Sequence, residues 1–177
     1  MLLVSLMEIE KKQQHDHAYS LLRQCLQNLR IDMPGENGFG EGEHGKPYLV
    51  EHPHVHFNLS HGDGITACLV KGMECGIDCE KIREYRPNVV KRCFSESEKK
   101  MMESAPEEEK DKLFFRLWTL KEAYVKAIGT GIGYPLDEVE FAINDGNIDS
   151  SAEGYSFRQY LLRGGEYVVS VCEKIAQ

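Results

Sequence analysis

Apolar spacing divides the chain into helix-like and strand-like stretches. Between His15 and Arg30, Leu21, Leu22, Cys25, Leu26 and Leu29 recur at one- and three- to four-residue intervals, which predicts an amphipathic helix stopped by Pro34 and Gly35. Gly38, Gly40, Gly42 and Gly45 then break a polar segment that reads as a loop as far as Lys46-Pro47-Tyr48. From His54 to Leu59 the period is two, placing Val55, Phe57 and Leu59 on one strand face. After a turn at Gly62-Asp63-Gly64, the runs from Ile65 to Val70 and from Cys75 to Cys79 read as a strand, a turn and another strand, so the middle of the chain predicts a small sheet.

The second half opens with Ser95-Glu96-Ser97-Glu98, where Ser95 can cap a helix and Glu98 can reach back to its first amide. A longer helix is expected from about residue 107 to residue 128, with Leu113, Leu117, Leu120, Tyr124 and Ile128 on its apolar stripe and Gly129 as its stop. Runs from Val139 to Ile143, from Tyr155 to Leu162 and from Tyr167 to Cys172 predict strands of a closing sheet. Each half thus has a helix followed by paired strands, although no fixed-period sequence repeat is present.

A length of 177 residues suits one domain or two small fused subdomains, and 41% hydrophobic with 28% charged residues is globular composition. The net charge of −8 opposes non-specific binding to nucleic acid or an anionic membrane surface, and no apolar run approaches the roughly 20 residues of a membrane span. Met1-Leu2-Leu3-Val4 is too short for a signal peptide, so a cytoplasmic location with free, mostly buried thiols is expected for the six cysteines. Cys75 and Cys79 lack a second pair at finger-like spacing, which argues against structural zinc. The acidic average hides a basic run, Lys81, Arg83, Arg86, Lys91 and Arg92, interrupted only by Glu84.

Three segments could carry chemistry. Asp78 and Glu80 are two apart, so on a strand they share a face; they repel unless exposed or bridged by a hard cation. Alone, that pair reads first as a solvated strand end. Trp118, Glu122 and Lys126 form one ridge of the long helix, either an ordinary surface Glu–Lys pair or a carboxylate and an ammonium presented together. If Glu122 lies over the strand of Asp78 and Glu80, three carboxylates and a lysine converge into a metal and phosphate site. Ser60 and His61, consecutive on a strand, point to opposite faces and suit phosphate binding better than a catalytic dyad. His52, His54 and His56 could share a metal, but Pro53 interrupts their strand and favours a solvated edge.

Gly45-Lys46-Pro47, Phe57-Asn58-Leu59-Ser60-His61, Gly76-Ile77-Asp78-Cys79-Glu80, Phe94-Ser95 with Glu98, and the segment from Trp118 to Lys126 resemble, in that order, the motifs of the Sfp-type 4′-phosphopantetheinyl transferases. The resemblance implies an α+β fold of two pseudo-symmetric subdomains, residues 1–75 and 76–177, each a small antiparallel sheet packed with a long helix, with the active site in the cleft between them. It implies transfer of the phosphopantetheine arm of coenzyme A to a serine of an apo acyl or peptidyl carrier protein, with Mg²⁺ and release of adenosine 3′,5′-bisphosphate. By the same resemblance Asp78, Glu80 and Glu122 hold the metal, and Glu122 is also the base, directly or through a metal-bound water. Lys126 sits on the pyrophosphate, and Lys46, Pro47, Ser60 and His61 meet coenzyme A. The basic run greets an acidic carrier, and the family implies a monomer. Two departures stand out: the chain starts close to its first helix, and Tyr19 stands where the family tends to show an arginine, so weakened recognition of the 3′-phosphate is expected. Two rivals use the same residues: a Mg²⁺-dependent nucleotide pyrophosphohydrolase, and a non-catalytic relative that only binds carriers.

Overall fold

A computed structural model describes residues 1–144 and 146–176, with the side chains of Glu36 and Ile132 set aside. Two three-stranded antiparallel sheets form its centre. The first is built from β1 (Leu2–Ser5), β4 (His56–Gly62) and β5 (Ile65–Lys71), in the order β1-β5-β4. Helix α1 (Lys11–Asn28) covers one face of it, laying Leu21, Leu22, Cys25 and Leu26 on Phe57, Cys68 and Val70. The second sheet holds β6 (Cys75–Lys81), β9 (Tyr155–Leu162) and β10 (Tyr167–Lys174), in the order β6-β10-β9, under helix α4 (Glu107–Ile128). In both halves a strand precedes a helix, a hairpin follows, and the last strand takes the centre of the sheet. This is the α+β, two-part arrangement the motifs implied.

The sheets meet face to face. Ile65, Ala67 and Leu69 of β5 pack on Cys75, Ile77 and Cys79 of β6 and on Val169 and Val171 of β10. The opposite face of the second sheet takes α4, with Leu117 and Leu120 near Val168, and Ala123 and Ala127 against Cys172. A buried hydroxyl pair, Thr119 Oγ1 to Ser170 Oγ at 2.7 Å, fixes the rotation of α4 over this sheet. Gly76 admits the close approach: a Cβ there would lie 2.0 Å from the carbonyl oxygen of Ala123 and 2.4 Å from the amide of Ala127. Gly76→Ala must push α4 off β6, and overpacking of this kind costs about 1–3 kcal/mol or more. Urea denaturation is expected to show that loss; an unchanged midpoint would mean that α4 is free to shift.

The capping box is as read: Ser95 Oγ accepts from the Glu98 amide, and the Glu98 carboxylate accepts from the Ser95 amide, opening α3 (Glu96–Ser104). Helix α4 ends where expected, with Gly129 left-handed at φ 72°. The structure departs from or adds to the sequence reading at five places. The first helix starts at Lys11, four residues before His15. The glycine-rich loop holds a short hairpin, β2 (Phe39–Glu41) with β3 (Pro47–Leu49). The run after Tyr85 forms a helix, α2 (Pro87–Cys93), for which Pro87 supplies the preset φ of a first helical position. The strands β5 and β6 are not a hairpin but belong to different sheets, and the expected closing strand near Phe141 pairs only locally, as β7 (Phe141–Asn144) with β8 (Asn147–Ser150). All six cysteines are free, five of them buried. Among the described residues no helix is long and apolar enough to cross a membrane.

Candidate active site

The edge of β6 faces β4 without joining its ladder, and side chains take the place of the missing backbone bonds. Asn58 and Ser60, two apart on β4 and so on one face, reach across: Asn58 Oδ1 accepts from the Ile77 amide at 2.8 Å, and Ser60 Oγ accepts from the Cys79 amide at 3.2 Å. Between these anchored amides stands Asp78. Its Oδ1 accepts from Ser60 Oγ at 2.9 Å and from Lys126 Nζ at 2.6 Å, and Lys126 also donates to Ser60 Oγ at 3.1 Å. Asp78 is 6% exposed, yet its Oδ2 has no partner among the described residues.

Because Gly76 and Asp78 share a strand face, the close approach of α4 at Gly76 brings Glu122 and Lys126 over Asp78. The carboxylates feel one another. The Glu122 carboxyl is pushed above the ordinary glutamate range, first by burial and then by the Asp78 charge, against the pull of Lys126. Glu80 is likewise raised, by burial and then by Asp78, with the Arg83 hydrogen bond at 2.9 Å opposing. For Lys126, burial acts downward, but Asp78 and its hydrogen bond outweigh it and hold the ammonium above the usual lysine value.

Glu122 and Lys126 line a cleft of about 520 Å³ together with Lys46, Pro47 and Asn58 from the first half and Arg92, Trp118, Tyr134 and Leu136 from the second. Asp78, Glu80, Ser60 and His61 do not line it; Lys126 links Asp78 and Ser60 to it. Ser60, expected on phosphate, donates its hydroxyl to Asp78 and accepts from the Cys79 amide. His61 is exposed, its imidazole pushed below the ordinary histidine range by burial and then by the charges of Lys126 and His15. Lys46 donates to the carbonyls of Ala127 at 2.7 Å and Cys75 at 3.0 Å, so it also caps the last turn of α4, and burial lowers its pKa.

Sequence reasoning assigned no task to Asn58, although its same-face spacing with Ser60 was the available signal. It also passed over Lys121, whose ammonium pairs with Glu98 at 2.8 Å with both side chains fully buried. The histidines at 52 and 54 stack edge to face at 6.1 Å, and among the described residues no three His, Cys, Asp or Glu side chains stand ready-clustered around a metal position. The donor set around Asp78 nonetheless fits a hard divalent cation: a buried carboxylate oxygen without a partner, and two further carboxylates whose mutual repulsion such a cation would relieve.

Residues 74–172, the stretch that carries Asp78, Glu80, Glu122 and Lys126, match the sequence model of the 4′-phosphopantetheinyl transferase superfamily. The chain belongs to this superfamily. A 4′-phosphopantetheinyl transferase of Bacillus subtilis is 34% identical over 112 residues, 63% of this chain and 50% of the relative. The 4′-phosphopantetheinyl transferase Sfp of Bacillus subtilis strain 168 is 31% identical over 140 residues, 76% of this chain and 62% of the relative. The chain spans about half the length of the curated relatives it matches. The crystal structure of Thermotoga maritima holo-[acyl-carrier-protein] synthase superposes with a TM-score of 0.50 at 21% identity, over 59% of this chain and 64% of that one, which shows a shared fold. Within this superfamily member, the matched segment supplies the helix ridge and the acidic strand, while Lys46, Asn58 and Ser60 come from the half before it.

Proposed function

We propose that the chain transfers 4′-phosphopantetheine from coenzyme A to a serine of an apo acyl or peptidyl carrier protein, with Mg²⁺, releasing adenosine 3′,5′-bisphosphate. The observation that carries this reading is the meeting of Glu122 and Lys126 in a cleft walled by both halves of a 4′-phosphopantetheinyl transferase superfamily member, with Lys126 joining Asp78 to it. Asp78, Glu80 and Glu122 would hold the magnesium, which when bound supplies neutralisation of pyrophosphate charge. Lys126, whose side chain lines the cleft, binds the pyrophosphate. Glu122, its pKa raised by burial and then by Asp78, accepts the proton of the carrier serine as the serine oxygen bonds to the pantetheine-side phosphorus. The bond from that phosphorus to the bridging oxygen breaks, and the adenosine bisphosphate leaves with the electron pair. Pro47 and Trp118 supply apolar wall for the substrate, with Lys46 beside them.

The reading takes residues 1–75 and 76–177 as the two subdomains. It takes the protein to act as a monomer, since one chain supplies both walls of the cleft, and in the cytoplasm, which suits six free thiols. The exposed Arg83, Arg86, Lys91 and Arg92, the last at the cleft rim, form a basic face suited to an acidic carrier. The test is release of adenosine 3′,5′-bisphosphate from coenzyme A with and without apo carrier. Release only with carrier and Mg²⁺ is the expected result; equal release without carrier would establish the pyrophosphohydrolase, and carrier binding without release the non-catalytic relative.

A further inference from the structure

Lys126 stands in two places at once. Its side chain lines the cleft and is 29% exposed, while its ammonium lies 2.6 Å from Asp78 Oδ1, on a carboxylate side chain only 9% exposed. Arg83 similarly occupies Glu80 Oε2 at 2.9 Å. The cations now beside the carboxylates are therefore the chain's own, and a divalent ion seated on Asp78 would have to share that carboxylate with an ammonium in contact with it. Like charges at such separations repel strongly in a partly buried site. Coenzyme A would bring a pyrophosphate into the cleft that Lys126 lines, and its phosphate oxygens offer this ammonium charge-assisted partners other than Asp78.

We propose that Lys126 is the resident cation of Asp78 before substrate arrives, and that the pyrophosphate of coenzyme A opens the metal position by drawing this ammonium off the carboxylate, so that metal and nucleotide bind as a coupled pair. The inference rests on the reading of the cleft as a coenzyme A and Mg²⁺ site. The coupling is reciprocal: whatever coenzyme A adds to metal affinity, the metal adds to coenzyme A affinity. Part of that coupling comes from the phosphate oxygens themselves. The remainder belongs to Lys126 and is separable by mutation.

The experiment titrates Mn²⁺ into the full chain, following free Mn²⁺ by electron paramagnetic resonance, with no carrier present and no turnover. Lys126→Met removes the ammonium; Lys126→Gln keeps a neutral donor to Asp78 and guards against a variant that fails to fold. Lys81→Met is the charge control, because Lys81 follows Glu80 on the same strand but pairs with Glu166 at 3.5 Å rather than with Asp78. Without nucleotide, both Lys126 variants are expected to bind Mn²⁺ at least about tenfold tighter than wild type, which is about 1.4 kcal/mol. Lys81→Met should stay within twofold. Coenzyme A should tighten Mn²⁺ binding more in wild type than in either Lys126 variant. Variants that bind Mn²⁺ alone no tighter than wild type, or a Lys81→Met gain equal to theirs, would overturn the proposal while leaving the coenzyme A and metal reading in place. If wild type takes up no Mn²⁺ even with coenzyme A, that reading falls and the proposal falls with it.

Discussion

Glu122→Gln is expected to lower the rate of phosphopantetheine transfer by about 10²- to 10⁴-fold, the range a positioned general base contributes. The substitution keeps the size and the amide keeps a polar face, so the cleft wall is preserved while the proton acceptor is lost. Glu122 is held above the ordinary glutamate range by burial and by Asp78, so removing its charge relieves repulsion and should leave the melting temperature unchanged or slightly raised. Asp78→Asn is expected to lower transfer at least as far, for a different reason: its Oδ2 is a buried carboxylate oxygen without a partner among the described residues, the position the divalent cation fits. Rates of the purified variants against apo carrier, alongside thermal melts, check both statements. Turnover within tenfold of wild type in a folded Glu122→Gln variant would remove Glu122 from the base role.

The second large effect is on stability. Lys121 and Glu98 form an ion pair from which solvent is wholly excluded. Glu98 also accepts from the amides of Ser95 and Phe141, and Lys121 donates to the carbonyls of Leu136 and Val139. Four segments, the start of α3, α4, β7 and the turn before it, thus converge on two opposite charges. Burial lowers the Lys121 pKa, and the charge and hydrogen bond of Glu98 oppose that shift. Lys121→Met strands a buried carboxylate and is expected to cost about 3–5 kcal/mol, read as a shift of the urea midpoint. The double variant Lys121→Met with Glu98→Gln should recover part of that loss, because no net charge is left buried. A single-variant loss below about 1 kcal/mol would show that water reaches the pair.

These two lysines show what the sequence could and could not convey. Both Lys121 and Lys126 lie in the same helical segment, and helical spacing alone separates them: Lys126 follows Glu122 on the cleft ridge, whereas Lys121 falls on the face turned toward α3. Local signals were legible. The Ser95 and Glu98 box, the stop at Gly129 and the shared face of Asp78 and Glu80 are decided by neighbours within four residues. Partners distant in sequence were not. Short β-rich runs show that 65–70 and 75–79 are strands but are silent on which strand each joins, so the strand, turn and strand read there became strands of facing sheets. Ser60 was expected on phosphate, and its bonds to Asp78 and to the Cys79 amide depend on partners 18 and 19 residues away. Lys46 was likewise expected on coenzyme A, and its capping of α4 depends on a helix end 81 residues away.

The account turns on group transfer to a carrier, and intact-mass spectrometry of an apo carrier protein incubated with this chain, coenzyme A and Mg²⁺ tests that most directly. The expected result is a gain of one phosphopantetheine on the carrier, absent with EDTA and absent with the Glu122→Gln variant. A carrier of unchanged mass, across acyl and peptidyl carriers and with coenzyme A shown to bind, would contradict it.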